Sequence, residues 1–535
     1  MKNSKIYILL IVFISIAYFI PFLGDVHLFD WDEINFAESA REMIVSGNYT
    51  QVSINFEPFH EKPPLFIWLQ VISMKIFGIN EFAARFPNAI VGLLTLLFAF
   101  YTGKKYKDDD FGFTWVLVYF GSFLPFFYFK SGIIDPTFNL FIFSAIAYFY
   151  YFYRSNNIKD LLISLTLISL AVMTKGPVGL LMFFVTTSIF VTINKKFNYF
   201  KHILFIFILS LIPYLLWYYT AFGYSEEILQ KFIYYHIKLL TTGDAGHSGP
   251  FYYHFVVVLL GAFPASFFAI PIISKFKKYD KASFVIINLI LLFSVLIIFG
   301  VVKTKILHYS SLAYLPLTFL AAMYIDDIMF KLKTISKINK LSILIYGIIL
   351  SVVLIIFPIF MMNINKFLYL VKDKFTKSVL LSEVYWSGFE LIPGVILIFG
   401  ILIWYFLVKR EYELKGFYIL FTSVATTTLM FMYFLAPQIE KYTQNAPIEF
   451  YKKHSNEDVI MIPLGFKSYA HYFYGNITSE KQIAVIHNPE LKDYLLENKI
   501  DKKVYFVIKS NKIEKYSNYN LKFLYSKNGF SFFEK

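Results

Sequence analysis

The side chains best suited to chemistry fall in a few short stretches, each beside a long apolar run. "FDWDEINFAESAREM" (29–43) places Asp30, Asp32 and Glu33 close together, and "FHEKPPLFIWL" (59–69) sets Glu61 and Lys62 before a Pro-Pro pair. "KSGIIDPTFNL" (130–140) holds Asp135 with Lys130 nearby, and "MTKGPVGLL" (173–181) puts Lys175 in a Gly-Pro turn. "VVKTKILHYSSLAYLPL" (301–317) brings Lys303, Lys305, His308 and Tyr309 to the start of another apolar run. A carboxylate can take the proton of an attacking hydroxyl, and an ammonium can hold a phosphate as it leaves. Carboxylates beside lysines at a lipid boundary therefore suit the movement of a group from a lipid phosphate to an acceptor.

Each stretch also has a plainer reading. Asp30 or Asp32 can cap the helix that follows, where Glu33 suits the helix dipole. One carboxylate is enough for a cap, however, and this loop carries more. Lys62 can snorkel to lipid phosphate. On the stiff backbone before Pro63 and Pro64 it can equally be a fixed cation, oriented by Glu61. Asp135-Pro136 is a good helix start. His308 and Tyr309 lie within an apolar run, where polar groups are costly unless they face a cavity. The spacing of His236, His247 and His254 fits no metal signature, so no metal site is expected, while metal dependence stays open. With no cysteine in the chain, disulfides and thiol catalysis are excluded.

What must position these residues is a membrane bundle. The 535 residues are 57% hydrophobic and only 16% charged, against about 25% charged in soluble proteins. Uncharged runs such as 203–222 and 341–360 can each cross a hydrocarbon core of about 30 Å. The first run (6–24) reads as a retained span, because it is long and lacks a cleavage pattern. Basic loops at 104–110, 194–201, 275–281, 331–340 and 409–415 alternate with loops at 25–83, 223–250 and 363–390. The positive-inside rule puts the basic set and the N-terminus in the cytoplasm. That accounts for most of the net charge of +14 without nucleic acid. The stretch 63–78 is short and carries Gln70 and Lys75, so it is expected at the interface. About thirteen spans agree with loop charge.

In the first outer loop, Phe36, Ala37, Ala40, Met43 and Ile44 share one helical face, with Glu38, Arg41 and Glu42 on the other and Gly47 as a stop. This predicts an amphipathic helix on the outer leaflet. Residues 436–535 alternate short apolar runs ("DVIMIPL", "KQIAVIH", "KKVYFVIK", "FSFFEK") with polar turns. They predict a small extracytoplasmic α/β domain after a membrane module at 1–435.

The string "WDEINFAESAREMIVSGNY", followed by "EPFHEKPPLFIWLQVISMKIFGINEFAARFPNAIVGLL", resembles the amino-terminal module of the ArnT-like and protein O-mannosyltransferase-like membrane glycosyltransferases of the GT-C superfamily. The layout of spans, "TKGP", the late Lys-His-Tyr segment and the outer C-terminal domain are similar too. The resemblance implies an α-helical polytopic GT-C fold in a bacterial inner or plasma membrane. It implies transfer of a sugar, with inversion, from a polyprenyl-phosphate donor to an extracytoplasmic glycolipid such as lipid A, a glycan or a protein. Asp32 is then the general base, with Glu33 beside it and Asp135 as a second acidic position. Glu61 and Lys62 match the "EKP" element near the donor phosphate, and Lys305 and Tyr309 match a phosphate-side pair flanked by Lys303 and His308. Asn35 stands where many relatives carry arginine, so Lys303 or Lys305 is expected to supply that cation. Arg41 and Lys175 are candidate substrate contacts. No cofactor is expected, and the chain is expected to act as a monomer. The alternative reading is a lipid or sugar transporter or flippase, which would place charges near mid-membrane and show internal repeats.

Overall fold

A computed structural model describes residues 2–223, 230, 248–330, 332, 334–478, 489–498 and 501–535. His236, His247 and the run "KQIAVIH" lie outside the described residues. The chain is a helical bundle with a small sheet at its C-terminal end. Among the described residues, seven helices are long and apolar enough to cross a membrane, or up to nine if each of two bent pairs counts as one span. The pairs are Asp109–Phe120 with Phe123–Lys130, bent by 84°, and Tyr253–Gly261 with Ala265–Ser274, bent by 118°. Helices α1 (Lys2–Phe19), Asp135–Ser155, Ile158–Lys175 and Val178–Ile193 stand where the remaining spans are expected, but they are shorter, more polar or more charged. Length and composition alone thus give fewer spans than loop charge does.

Between α1 and the first long helix lies the loop that carries the first candidate residues. Helix α2 (Asp32–Ser46) ends at Gly47, whose φ of 72° is the left-handed stop expected of glycine there. Residues Ser53–Ile54 (β1) and Glu57–Pro58 (β2) then form a two-residue antiparallel ribbon. Helix α3 (Leu65–Phe77) starts just after Pro63-Pro64 and is only 13 residues long. At 1.5 Å per residue that is roughly 20 Å, too short to span, as its sequence implies. Helix α4 (Glu81–Tyr106) is started by Asn80, whose side chain accepts a hydrogen bond from the Ala83 N–H.

The expected outer-leaflet position of α2 needs correction. Its apolar face packs on the bundle rather than on lipid, and Glu38, Arg41 and Glu42 on the opposite face are buried as well. The segment around Tyr472–Ile477 covers them, and Arg41 donates to the Ile477 carbonyl at 2.7 Å. Helix α2 is therefore sandwiched between bundle and C-terminal region rather than floating on lipid.

The helix Glu413–Thr443 runs unbroken through the expected boundary at 435/436, with a π turn at Phe431–Leu435. Beyond it a four-stranded sheet has the order β3-β4-β6-β5, with β3 (Ile460–Leu464), β4 (Val504–Lys509), β5 (Lys522–Lys527) and β6 (Phe530–Glu534). Strand β3 runs parallel to β4, and the other pairs are antiparallel. β3 and most of β4 are buried throughout, which is why they read as continuous apolar runs. Asn528 and Gly529 both adopt positive φ and turn β5 into β6, the usual Asn-Gly hairpin chemistry.

Candidate active site

Where the sheet region meets the bundle there is a cavity of about 460 Å³. Its walls include Trp31, Asp32 and Asn35 from α2 and its entry, Glu61 and Lys62 from the loop before α3, and Asp135 at the start of its helix. Lys175 comes from the end of helix Ile158–Lys175, residues 304–309 from a strand-like turn and 3-10 helix, and Lys467 and Tyr469 from the C-terminal region. Another hollow, of about 810 Å³, is lined by Val185, Ile189, Ile290 and Phe293 with Lys277, Tyr279 and Lys281, and no carboxylate lines it.

Asp32, Asp135, Lys175 and His308 form one chain of charges. The Lys175 Nζ donates to Asp135 Oδ1 at 2.6 Å. His308 Nε2 faces both carboxylates, 3.3 Å from Asp32 Oδ2 and 3.7 Å from Asp135 Oδ2. The Asp32 side chain is 40% exposed, whereas that of Asp135 is only 5% exposed. An open carboxylate beside a buried, paired one divides the labour: Asp32 can meet a ligand, while Asp135 is held by its lysine. Lys175 also lies 5.1 Å from the Tyr309 ring centre, and the His308 and Tyr309 rings are 5.4 Å apart. Lys62 Nζ is 4.0 Å from Glu61 Oε2. Neither Asp32 nor Asp135 caps a helix with its side chain, since the cap positions are Trp31 and Ile134.

Trp31 is held in an unusual backbone conformation, with φ 79° and ψ −109°. For a bulky aromatic this costs of order 1–3 kcal/mol and persists only where neighbours over-determine it. They do so here. Gln444 accepts from the Asp30 N–H at 3.0 Å and donates to the Leu28 carbonyl at 2.8 Å. Asp30 Oδ1 accepts from the Trp31 and Tyr469 N–H groups, both at 3.0 Å. Burial raises the Asp30 carboxyl above its usual range, and hydrogen bonds from Ser468, Tyr469 and Trp31 limit the rise.

Several expected site residues do something else. Glu33 does not face the cavity. Its carboxylate accepts from Arg85 at 3.0 and 2.8 Å, from Gly132 N at 2.5 Å and from Phe29 N at 2.9 Å. Burial alone would raise its pKa, but the Arg85 charge and these donors together hold it below the usual range. With its oxygens so engaged it is a structural pin, not an acid or base. Arg41 is also outside the cavity, clamped to Glu38 at 2.6 and 2.7 Å. Lys305 lines the cavity with its stem, but its Nζ donates to the carbonyls of Phe299, Gly300 and Val302 and so closes the end of helix Phe284–Val301. Lys303 is exposed and does not line the cavity. Neither lysine stands in for the arginine absent at Asn35.

Sequence reasoning missed Arg85, Trp31, Lys467 and Tyr469. An arginine inside a long apolar helix must find a partner, and that signal could have singled out Arg85. All five of its N–H groups are used, by Glu33 and by the carbonyls of Leu23, Val26 and His27. Nothing in the sequence ties Lys467 to a loop more than four hundred residues earlier.

Residues 61–217 match the family described as dolichyl-phosphate-mannose-protein mannosyltransferase. The undecaprenyl phosphate-alpha-4-amino-4-deoxy-L-arabinose arabinosyl transferase 2 of Proteus mirabilis is 28% identical over 343 residues, 62% of each chain. The corresponding transferase of Shewanella sediminis is 26% identical over 330 residues, 60% of each chain. The alignment thus spans less than two thirds of these relatives. The crystal structure of ArnT from Cupriavidus metallidurans bound to undecaprenyl phosphate superposes with a TM-score of 0.79 at 15% identity, covering 99% of this chain and 98% of that one.

Fold and site together define a multi-pass membrane protein with the fold of the ArnT crystal structure and an acid-lysine cavity where bundle and sheet meet. Its likeness to ArnT covers nearly the whole length in fold, and its likeness in sequence to the arabinosyl transferases covers 62% of the chain.

Proposed function

We propose that this protein is a glycosyltransferase that moves a sugar from a polyprenyl-phosphate donor to an acceptor outside the membrane, with inversion. The observation that carries the reading is the 460 Å³ cavity in which the open carboxylate of Asp32 and the ammonium of Lys62 share one wall system. Beside it runs an apolar groove of about 550 Å³, lined by Phe123, Phe127, Val256 and Leu350, and Leu307 lines both hollows. An isoprenyl chain in the groove would bring its phosphate toward the cavity. The names of the relatives and the undecaprenyl phosphate in the ArnT crystal structure support that class of donor.

In the reaction, Asp32 takes the proton of an acceptor hydroxyl, and that oxygen attacks the anomeric carbon from the face opposite the phosphate. The bond from carbon to phosphate oxygen breaks with its electron pair on the phosphate, which Lys62 stabilises. Asp135, tied to Lys175, positions rather than reacts. Basic loops on the opposite side support a cytoplasmic N-terminus and an outer cavity, in the inner membrane of a bacterium. We read 1–435 as the transferase module and 436–535 as the domain that closes the cavity over Asp32. A transporter is not favoured, since the acids and lysines outside the basic loops gather in the cavity where bundle and sheet meet.

The test is Asp32→Asn in membranes supplied with labelled polyprenyl-phosphate sugars. Loss of a general base is expected to lower transfer by about 10²–10⁴-fold, with the protein still inserted and its melting temperature kept. Transfer at the wild-type rate would overturn the assignment.

A further inference from the structure

Within the reading just proposed, the acceptor is the open question, and the cavity mouth bears on it. We propose that Trp31, Lys467 and Tyr469 form the acceptor subsite, and that Lys467 selects acceptors carrying a negative charge beside the reacting hydroxyl.

The strained backbone at Trp31 directs a large aromatic side chain, 42% exposed, to the cavity immediately before Asp32. The Lys467 Nζ lies 4.9 Å from the Trp31 ring centre and 5.2 Å from that of Tyr469, and the two rings are 6.0 Å apart at 74°. Two aromatic faces hold the lysine by cation–π attraction without cancelling its charge. Asp30 is its acidic neighbour, but that carboxyl is already occupied by the N–H groups of Trp31 and Tyr469. Asp30 and Lys467 still attract each other, but this is the smallest of the influences on Asp30, and Lys467 lines the cavity.

A further observation concerns the kind of ligand. Asn35, one helical turn beyond Asp32, is buried at the cavity wall, and its Oδ1 has no hydrogen-bond partner among the described residues. That oxygen has almost no accessible surface, so a ligand hydroxyl can donate to it once the Asn35 amide turns toward the cavity, which relieves a costly unmade bond. A hydroxyl-rich, negatively charged ligand meeting a flat aromatic ring describes an acidic saccharide. The donor approaches along the apolar groove that borders Leu307. Lys467 comes from the sheet region on the other wall, so the C-terminal region sets acceptor choice rather than donor choice.

The shared chemistry fits the head of a phosphorylated glycolipid or a uronic-acid polysaccharide. Binding of each to the full-length protein in nanodiscs is compared with binding of its dephosphorylated or carboxyl-reduced form, without turnover. The wild type is expected to favour at least one acidic form by about tenfold, and which one identifies the source. Lys467→Ala should erase that preference and Lys467→Arg should retain it, with donor-lipid binding equal in all three. Equal binding of acidic and neutral forms by the wild type would overturn the proposal, as would a preference that survives Lys467→Ala. Because no sugar transfer is read, failure here is separate from failure of the Asp32 assignment.

Discussion

His308 Nε2 stands 3.3 Å from Asp32 Oδ2, on the exposed carboxylate of the site. The same nitrogen is 3.7 Å from Asp135 Oδ2, so one imidazole faces an open carboxylate and a buried one. The sequence alone places His308 on the phosphate side. The structure turns it toward the acids, where it stands between Asp32 and the Asp135–Lys175 pair.

His308→Ala is accordingly expected to lower kcat by about 10–100-fold, since a small misplacement of a catalytic group costs about that much. The donor KM should stay near the wild-type value. Steady-state kinetics with a labelled polyprenyl-phosphate sugar separate the two roles. A large rise in donor KM with kcat preserved would return His308 to the phosphate.

Glu33 and Arg85 join α2 to α4 through a fully buried ion pair. Removing one partner leaves a charge uncompensated, and Arg85→Met alone is expected to cost about 3–5 kcal/mol. The melting temperature in detergent should fall steeply. Glu33→Gln with Arg85→Met should recover part of the loss, because the unpaired carboxylate is then gone. A wild-type melting temperature for Arg85→Met would show that the pair does not hold the loop.

Glu42, buried beneath the C-terminal region, has its pKa raised to about 8, first by burial and then by the nearby Glu38 carboxylate. An acid whose folded pKa lies above its unfolded value binds more protons in the native state over the interval between them. Stability contributed by the neutral form is therefore full below the unfolded pKa of about 4.5 and is lost as pH rises toward 8. Melting curves between pH 5 and 9 should show the wild type weakening with pH. Glu42→Gln should flatten that slope, and an unchanged slope would remove Glu42 as its source.

A good deal of this arrangement is legible in the amino-acid sequence. Helix α3 is as short as its sixteen-residue apolar stretch implies, α2 starts and stops within the string that predicts it, and β3, β4 and β6 fall on predicted runs. Strand β5 escaped because five of its six residues are exposed and the sixth is half-buried, without clear alternation, although the Asn-Gly turn after it is a usable signal. Among the site residues, Asp32, Glu61, Lys62, Asp135, Lys175, His308 and Tyr309 do meet in one cavity. Lys305 lines it too, but spends its ammonium on helix carbonyls, while Glu33, Arg41 and Lys303 lie outside it.

The amino-acid sequence by itself determines the membrane bundle, because burial of apolar surface and the cost of bare backbone in lipid act locally along each run. It also determines which segments carry acids and lysines beside that bundle. Only the tertiary structure decides which of those charges remain free for chemistry. Asp32 and Glu33 are neighbours in the chain with similar carboxyl groups, yet successive positions on a helix point about 100° apart. One turns to the cavity and His308, the other to Arg85 inside the bundle. Likewise only folding carries Lys467 across to Trp31, a contact that no local pattern encodes.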